Sequence, residues 1–417
     1  MVAMNGDSET ATPHIFQGFG LELEYMIVRQ DSLEVLAQAD RLLAAAAGGG
    51  VVNDVERGPF EWSNELALHV IEMKTAGPVA GLQGLAHGFQ GEVAAMNRLL
   101  APLGATLMPS AMHPWMDPYR ETRLWPHGYR AVYEAYNRIF NCQGHGWSNL
   151  QSVHLNLAFN GDEEFGRLHG AIRLLLPLLP AIAASSPFVE GRVTGLLDNR
   201  LEFYRHNQER IPSLAGLIIP EPVYSRQQYE ETILKRNYRD IAPHDPDRIL
   251  QDEWLNSRGA IARFQRSAIE IRLLDIQECP AADLAIVTAI VAVLRALVSE
   301  RWAPVAEQQA VAVQPLARLL AQAIVDAEQA VIDDAAYMRL FGIGQAKISA
   351  GELWQRLVAA TVAADDAARP PLDLILGQGP LARRLLRAAG PSPGRGRLTE
   401  IYGRLRDCLA NGEMFDA

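Results

Sequence analysis

The chain has 417 residues, a length that suits one large domain or two. Of these residues 49% are hydrophobic and 21% charged, which is typical of a globular protein. Its formal net charge of −11 argues against a general nucleic-acid-binding protein, which would carry a basic patch or stripe. The three cysteines, Cys142, Cys279 and Cys408, form no CxxC motif, so we predict a reducing, cytoplasmic location and no structural zinc site.

The first element with a clear pattern is a strand between Gly18 and Val28. Its apolar residues fall on one side of the strand, namely Leu21, Leu23, Tyr25 and Ile27. Glu22 and Glu24 fall on the other side, roughly 6–7 Å apart, and two unpaired carboxylates at this separation repel each other when they are buried. We therefore expect something positive from elsewhere in the protein to lie against them.

The flanking segments carry weaker patterns. Residues 1–14 are polar and lack the apolar region of a secretory signal, so we predict a flexible lead over residues 1–15. The hydrophobic periodicity predicts helices over 33–47, 79–100 and 129–140, and strands over 51–55 and 105–108. Between them, the second half of the segment 61–75 alternates, with Glu72 and Lys74 on one face.

Two further alternating strands follow. The strand predicted over 149–159 carries His154 and Asn156 on its polar face, and the strand predicted over 267–275 carries Glu270 and Arg272. Between these strands we predict a helix over 162–184 that its prolines break, and then an irregular region with short helices. Residues 281–389 are strongly helical, 390–396 form a linker, and 398–410 form a last helix.

One stretch, residues 281–302, is apolar enough to be considered as a membrane span. Its longest uncharged run, Leu284 to Leu294, has only 11 residues, whereas a span needs about 20. We therefore predict a buried helix that starts at Pro280, and no membrane partner.

The four alternating strands share a pair of polar residues in mid-strand. The pairs are Glu22/Glu24, Glu72/Lys74, His154/Asn156 and Glu270/Arg272. One interpretation is four solvated sheet faces, each with its own local salt bridge. We favour a second interpretation, a lined cavity, because one polar face then carries five carboxylates (with Glu65), an imidazole and two cations.

Carboxylates with a single imidazole are typical ligands of Mg²⁺ or Mn²⁺ and not of zinc. Magnesium commonly binds together with substrate phosphates, yet the sequence has neither a GxxxxGK[ST] loop nor a GxGxxG motif. If ATP binds, metals and arginines must hold its phosphates. The candidate arginines are Arg192, Arg200, Arg258, Arg263 and Arg266, and for each the alternative is a surface or structural role.

Several motifs in order resemble the glutamate–cysteine ligase family, in particular its second bacterial branch, which includes the carboxylate–amine ligases. The motifs are GLELE at 20–24, Glu-x6-Glu-x-x-Thr at 65–75, VHLNL at 153–157, IEIR-x-x-D at 269–275, the SSPF-x-x-G-x-x-TG segment at 185–195 and His113-Pro114. The resemblance extends from about residue 16 to 298. It implies an α+β fold in which a curved, mainly antiparallel sheet forms an open funnel, with helices packed on its outer face. We therefore expect a catalytic domain at 16–305 and a helical part at 306–417 packed on it.

The resemblance also implies a reaction. ATP would phosphorylate a carboxylate, usually the γ-carboxylate of glutamate, and an amine would then displace phosphate from the acyl phosphate to form an amide, with two or three Mg²⁺ ions on the phosphates. By resemblance, one metal site consists of Glu22, Glu65 and Glu72. A second consists of Glu24, His154 and Glu270. Arg272 and Glu270 would act at the transferring phosphate, and Asn156 would contact ATP or substrate.

Two departures from the family pattern concern the substrate. The carboxylate–amine ligases often have a second histidine where Asn156 stands, and an often acidic position is Leu68 here. Glutamate and cysteine are the leading substrate pair; the alternative is a different amine, including one on a peptide. A non-catalytic relative and a guanidino-kinase-type phosphotransferase are competing interpretations. The sequence leaves the oligomeric state open, a homo-oligomer included.

Overall fold

The computed structural model describes residues 12–417, and the strand β1, Phe19–Arg29, lies at the centre of its main sheet. The other strands are β2 Asp54–Arg57, β3 Phe60–Asn64, β4 Val70–Thr75, β5 Ala105–Met108, β6 Ser152–Ala158, β7 Phe188–Val189, β8 Arg192–Val193, β9 Ala260–Arg263, β10 Ala268–Asp275, β11 Val331–Ile332 and β12 Ile348–Ser349. Within residues 12–417, eight strands form the main sheet in the order β2-β3-β4-β1-β6-β10-β9, and β5 also pairs with β1. All of these pairings are antiparallel, which confirms the predicted sheet.

Helices connect and cover the strands, so that the α+β class is confirmed. They are α1 Ala39–Ala46, α2 Leu85–Leu100, α3 Pro118–Glu121, α4 Arg130–Phe140, α5 His145–Ser148, α6 Gly161–Leu175, α7 Pro180–Ala183, α8 Asn199–Tyr204, α9 Arg226–Tyr229, α10 Lys235–Ile241, α11 Pro280–Val298, α12 Val305–Gln309, α13 Val313–Asp326, α14 Ala335–Arg339, α15 Ala350–Thr361, α16 Arg369–Gln378, α17 Leu381–Ala389 and α18 Arg395–Asn411. A π-helical turn, Glu230–Leu234, joins α9 to α10. Short 3₁₀ turns lie at Ala101–Leu103, Leu176–Leu178, Pro212–Leu214, Ala242–His244, Glu253–Leu255, Phe264–Arg266 and Ala327–Gln329.

The apolar side of β1 faces the main core. Leu21, Leu23 and Tyr25 are fully buried and pack in one cluster with residues of α2, α6, α11 and α15. Helix α11 is long and apolar enough to cross a membrane, but 72% of its most apolar stretch is buried inside the protein. The prediction of a buried helix at this position is confirmed.

The other side of β1 is divided into two halves. At its carboxyl end, Met26 and Val28 are buried against α17 and α18, where they contact a cluster that includes Leu398 and Tyr402. Toward its amino end, the same face carries Glu22 and Glu24, which line a cavity. The sheet is therefore open at one end of its inner face, and the polar residues lie in that opening.

Several predicted boundaries are wrong for local reasons. The helix predicted from residue 33 begins at Ala39, because Leu33 has a φ of 58° and Val35 bridges to Val28 in an extended pairing. The helix predicted from residue 79 begins at Leu85, after Gly84 with a φ of 78°. The strand predicted over 51–55 lies at Asp54–Arg57, where it pairs with β3.

Other segments contain elements that the pattern does not predict. The segment 61–75 is a pair of strands, β3 and β4, and Glu65 lies in the connection between them. No strand was predicted at the position of β9, and helix α8 lies within a segment predicted to be irregular. The first eleven residues of the predicted lead lie outside the described residues. At its end, His14 Nδ1 lies 2.7 Å from Glu164 Oε1, and the Ile15 amide donates to the same carboxylate at 2.8 Å.

Candidate active site

Strand register brings the predicted polar residues together. In the pairing of β1 with β6, Glu22 lies opposite His154, and in the pairing of β1 with β4, Glu24 lies opposite Glu72. In the pairing of β6 with β10, Asn156 lies opposite Glu270. The polar pairs therefore form one continuous patch across four neighbouring strands.

Strand β6 supplies the cationic partner that Glu22 and Glu24 require. His154 Nδ1 lies 2.8 Å from Glu22 Oε2, and its Nε2 lies 3.9 Å from Glu24 Oε1. Asn156 donates to Glu22 at 3.0 Å. Glu24 accepts hydrogen bonds from the amide and the hydroxyl of Ser152, at 2.7 and 2.9 Å. Sequence reasoning missed Ser152, although its position two residues before His154 puts it on the same face.

Strand β4 supplies a second cation. Lys74 Nζ lies 3.1 Å from Glu72 and 3.2 Å from Glu61, and Ser63 donates to Glu72 at 2.6 Å. The sequence pattern put Lys74 on the same face as Glu72, and the structure places it in the wall of the polar cavity. Ser63 is a further residue of the patch that the sequence pattern did not single out.

Strand β10 brings Arg272 to the centre of the patch. Its register with β6 shifts between Ile271 and Leu274, and such a bulge changes the direction in which a side chain points. The Arg272 amide donates to the Gly259 carbonyl at 2.9 Å, and its Nε lies 2.8 Å from Glu270. Arg263 also donates to Glu270, at 3.2 Å. Glu270 thus has two arginine partners, and its pair with Arg272 is the kind of local salt bridge that the interpretation of solvated sheet faces predicts.

The electrostatics of the patch show an excess of negative charge around Glu65 and Glu72. Burial, with a contribution from Glu22, raises the pKa of Glu72 to about 7. Burial, with contributions from Glu24 and Glu72, raises the pKa of Glu65 well above its ordinary value. Burial opposes ionisation of Glu22 too, but the hydrogen bond and charge of His154 lower its pKa to about 2. For His154, the same pairing outweighs burial and raises the pKa to about 9.

This donor set fits divalent cations that prefer oxygen ligands. Two groups of side chains have ligand atoms within 4.8 Å of one another: Glu22, Glu72 and His154, and Glu24, Glu65 and Glu72. Burial and, to a smaller extent, repulsion between carboxylates raise the pKa values of Glu65 and Glu72, and a cation at either position would relieve the repulsion. The grouping differs from the predicted one for two reasons. The strand register places His154 opposite Glu22, and Glu270 forms ion pairs with two arginines. All six predicted ligands nevertheless line the same cavity.

Two cavities meet at the patch. The polar chamber, about 600 Å³, is lined by the six predicted metal ligands, by Gly18 to Leu21, and by Lys74, Arg263 and Arg266. The aromatic chamber, about 570 Å³, is lined by residues of α4, α5 and α8 and by Trp254. Four residues line both chambers, namely Glu24, Glu65, His154 and Arg272. We call these four residues the junction.

Of the five candidate phosphate-binding arginines, three line one of the two chambers and two line neither. Arg263 and Arg266 line the polar chamber. Arg200 lines the aromatic chamber instead, where it donates to the Arg272 carbonyl at 2.8 Å and to Asp275 at 3.3 Å. Arg258 is fully buried and forms an ion pair with Glu221, so it has no access to a ligand. The exposed Arg192 on β8 lines neither chamber. The structure therefore brings neither Arg192 nor Arg258 to the two chambers.

The motif at 185–195 has a structural explanation. The Ser185 amide and the Ser186 hydroxyl donate to Asp275 at 2.8 and 3.0 Å. Asp275 ends β10 and also pairs with Arg200. These bonds fix the end of β10 that carries Arg272, so this motif supports the junction from outside it.

Comparisons with known proteins agree with this architecture. The profile of glutamate-cysteine ligase family 2 matches residues 18–404. An uncharacterized protein of Archaeoglobus fulgidus is 39% identical over 254 residues, which are 61% of this chain and 68% of the relative. A protein of Rubrobacter xylanophilus, provisionally named glutamate–cysteine ligase 2-3, is 26% identical over 44% of this chain and 47% of its own length.

A solved structure with the same overall fold is the glutamate–cysteine ligase of Francisella tularensis in complex with AMP. It is 12% identical, and the superposition covers 94% of this chain and 89% of that chain with a TM-score of 0.56. At this identity, the likeness establishes the fold alone.

Proposed function

Since the chain belongs to glutamate-cysteine ligase family 2, a family of ATP-dependent C–N ligases, we propose that it joins a carboxylate to an amine at the junction of its two chambers. The observation that carries this proposal is the shared wall formed by Glu24, Glu65, His154 and Arg272. Such a reaction needs a nucleotide on one side of the reacting atoms and organic substrates on the other. Two chambers that meet at one set of charged residues provide this arrangement.

We assign ATP to the polar chamber. Lys74, Arg263 and Arg266 supply positive charge along its walls. Gly20, in the same wall, leaves room for the side chain of Asn156 on the neighbouring strand, since a Cβ at this position would lie 3.1 Å from it. Glu22, Glu24, Glu65, Glu72, His154 and Glu270 would hold the metal ions. Bound Mg²⁺ or Mn²⁺ would neutralise the phosphates and the developing charge on the transferred group.

The reaction has two steps. In the first, a carboxylate oxygen of the donor attacks the γ-phosphorus, the bond to the β,γ-bridging oxygen breaks, and ADP leaves. In the second, the amine nitrogen attacks the acyl carbon, the carbon–oxygen bond to phosphate breaks, phosphate leaves, and a proton of the amine passes to solvent. Arg272 would stabilise charge on the transferred group, and Glu270 would hold its guanidinium in place.

For the substrates, we propose glutamate as the donor, with cysteine as the reference acceptor that the family name suggests. The alternative acceptor is a different amine, on a small molecule or a peptide. The AMP bound in the Francisella ligase supports an adenine nucleotide as the phosphoryl source.

A hydroxylamine assay tests the ligase proposal without reference to the acceptor. Hydroxylamine is small and converts an acyl phosphate into a hydroxamate, so protein, ATP, Mg²⁺ and glutamate should give hydroxamate and ADP in equal amounts. Glu270→Gln and Arg272→Lys should each lower the rate at least about 100-fold, because each disturbs charge stabilisation at the transferred group. Glu56→Gln, exposed on β2 of the same sheet, is the matched control and should retain the rate. Absence of ADP with every carboxylate of an amino-acid panel would contradict the proposal.

A further inference from the structure

The aromatic chamber has walls that glutamate and cysteine do not require. Six aromatic side chains line it: Tyr129, Tyr133, Tyr136, Trp147, Tyr204 and Trp254. The polar chamber beside it has one such ring, Phe19, among the residues described. Binding cavities usually present apolar surface where the ligand is apolar, because covering that surface removes it from water.

The rings are held in a preformed wall. Helix α4 places Val132, Tyr133 and Tyr136 along the cavity, at a spacing that puts neighbouring turns of a helix on one face. The Tyr136 ring packs against Trp147 and Trp254, with centroid separations of 5.3 and 5.9 Å. These aromatic side chains therefore lose little conformational freedom when a ligand binds in the chamber.

The chamber extends from the surface to the junction. Tyr129 lines it and is 51% exposed, so this ring marks the opening. Further in, Tyr133 accepts a hydrogen bond from Asn64 at 3.1 Å, beside Glu65 of the junction. At the inner end lie Glu65 and Arg272. A molecule bound along the rings can thus place one end at the reacting atoms.

The second substrate must approach from this side. The nucleotide occupies the polar chamber in the proposed reaction, and the donor carboxylate must lie at the junction to reach the γ-phosphate. The acyl carbon is then open toward the aromatic chamber alone. A small amine such as cysteine would leave most of a cavity of about 570 Å³ and its rings uncovered.

Three buried polar atoms on neutral side chains of the wall indicate what else the ligand carries. Within residues 12–417, the Tyr204 hydroxyl, Gln208 Oε1 and the indole N–H of Trp147 have no hydrogen-bond partner, and Gln208 is only 2% exposed. All three residues line the aromatic chamber. Buried polar groups rarely stay unpaired, so a neutral hydrogen-bonding group on the ligand would satisfy them.

We propose that the acceptor is an amine that bears an aromatic ring, which binds among Tyr129, Tyr136 and Trp254 while its nitrogen reaches the junction. A ring with a hydroxyl group fits the unpaired Tyr204 and Gln208 best. This inference rests on the ligase proposal, of which it specifies the second substrate.

Acceptor competition tests the inference, with the donor fixed as the carboxylate that gives hydroxamate. ADP release is measured with tyramine, 2-phenylethylamine, ethylamine and cysteine, and each amide is identified by mass spectrometry. We expect kcat/KM for the two aromatic amines to exceed that for ethylamine and cysteine by at least about 10-fold, since an unfilled apolar pocket discriminates strongly against small ligands.

Variants at the opening give a second readout. Tyr129→Ala should reduce the ratio of kcat/KM for tyramine over ethylamine at least about threefold, through the loss of one aromatic contact. Tyr119→Ala removes a tyrosine that is 66% exposed and lines neither chamber, and should leave the ratio unchanged. If hydroxamate forms but cysteine or ethylamine reacts as well as the aromatic amines, the inference is wrong and the ligase proposal stands. If no carboxylate yields hydroxamate, both are wrong.

Discussion

The imidazole of His154 and the carboxylate of Glu22 face each other across β1 and β6, with Nδ1 2.8 Å from Oε2. This pair neutralises one carboxylate of the patch, and Lys74 lies beside Glu72. Among residues 12–417, Glu65 has no comparable partner, and burial and the neighbouring carboxylates raise its pKa well above its ordinary value. The metal-free protein therefore keeps an electrostatic strain that a bound cation would relieve.

We predict that Mg²⁺ raises the melting temperature of the protein and that Glu65→Gln abolishes this effect. At 100 times its dissociation constant, a ligand that binds only the folded state stabilises it by about 2.7 kcal/mol. Without metal, Glu65→Gln should melt at the same temperature as the parent or higher, because the amide removes repulsion. Scanning calorimetry with and without Mg²⁺ measures both effects, with Glu56→Gln as control. An unchanged Mg²⁺ response in Glu65→Gln would exclude this residue as a ligand.

Glu72 makes the metal-free protein pH-sensitive in a defined direction. Its folded-state pKa of about 7 lies above the ordinary value of 4.5, so the folded state binds its proton more tightly than the unfolded state. The contribution of this group is fully present below about pH 4.5 and is lost as the pH rises through about 7.

Comparison with Glu72→Gln isolates this contribution from all other titrating groups. The free energy of unfolding of the parent, relative to the variant, should fall between pH 4.5 and 7 when both are measured by urea denaturation in EDTA. Saturating Mg²⁺ should remove the slope. A flat difference in EDTA would show that the carboxylate is already neutralised by protein groups such as Lys74.

A buried ion pair between Arg384 and Glu278 holds the C-terminal segment in place, and its removal is a further test. Arg384 and Glu278 are fully buried, with Nη1 2.5 Å from Oε1, and Arg384 also donates to the Phe415 carbonyl at 2.7 Å. Arg384→Met leaves a buried carboxylate without its partner and should reduce the free energy of unfolding by about 3–5 kcal/mol. Urea denaturation measures this loss.

The exposed pair Arg397–Glu400 is the matched control, and Arg397→Met should change stability by no more than about 1 kcal/mol. The double variant Arg384→Met/Glu278→Leu should recover part of the loss, because it removes the unpaired charge as well. Equal effects of Arg384→Met and Arg397→Met would refute a structural role for the buried pair.

Local pattern was sufficient for the strands that carry the site. The alternation around Glu22, His154 and Glu270 predicted three central strands and the face on which each polar residue lies. It was insufficient for β3 and β9 and for the bounds of β2, which are short strands at or near the sheet edges whose extended conformation depends on their neighbours. The helix start near Leu33 was missed because a positive φ and a bridge to β1 hold this segment.

The arginines illustrate a second limit. Arg258 and Arg263 are equally plausible phosphate partners in the sequence, but one pairs with Glu221 in the core and the other lines the polar chamber. The aromatic wall was also invisible in advance, although Tyr129, Tyr133 and Tyr136 have helical spacing, because the same spacing is typical of an ordinary core face. Which groups a side chain meets depends on contacts between distant segments.

The sequence by itself determined the chemistry of the donor set and the face of each central strand, since residue type and period-two alternation are local properties. Its ordered motifs indicated the family, and the antiparallel sheet followed from that resemblance. Only the tertiary structure decided that His154 pairs with Glu22, that Arg272 joins two chambers, and that one of these chambers is aromatic. Register, the bulge in β10 and the packing of α4 against Trp147 and Trp254 fix those relationships, and each depends on contacts between segments far apart in the chain.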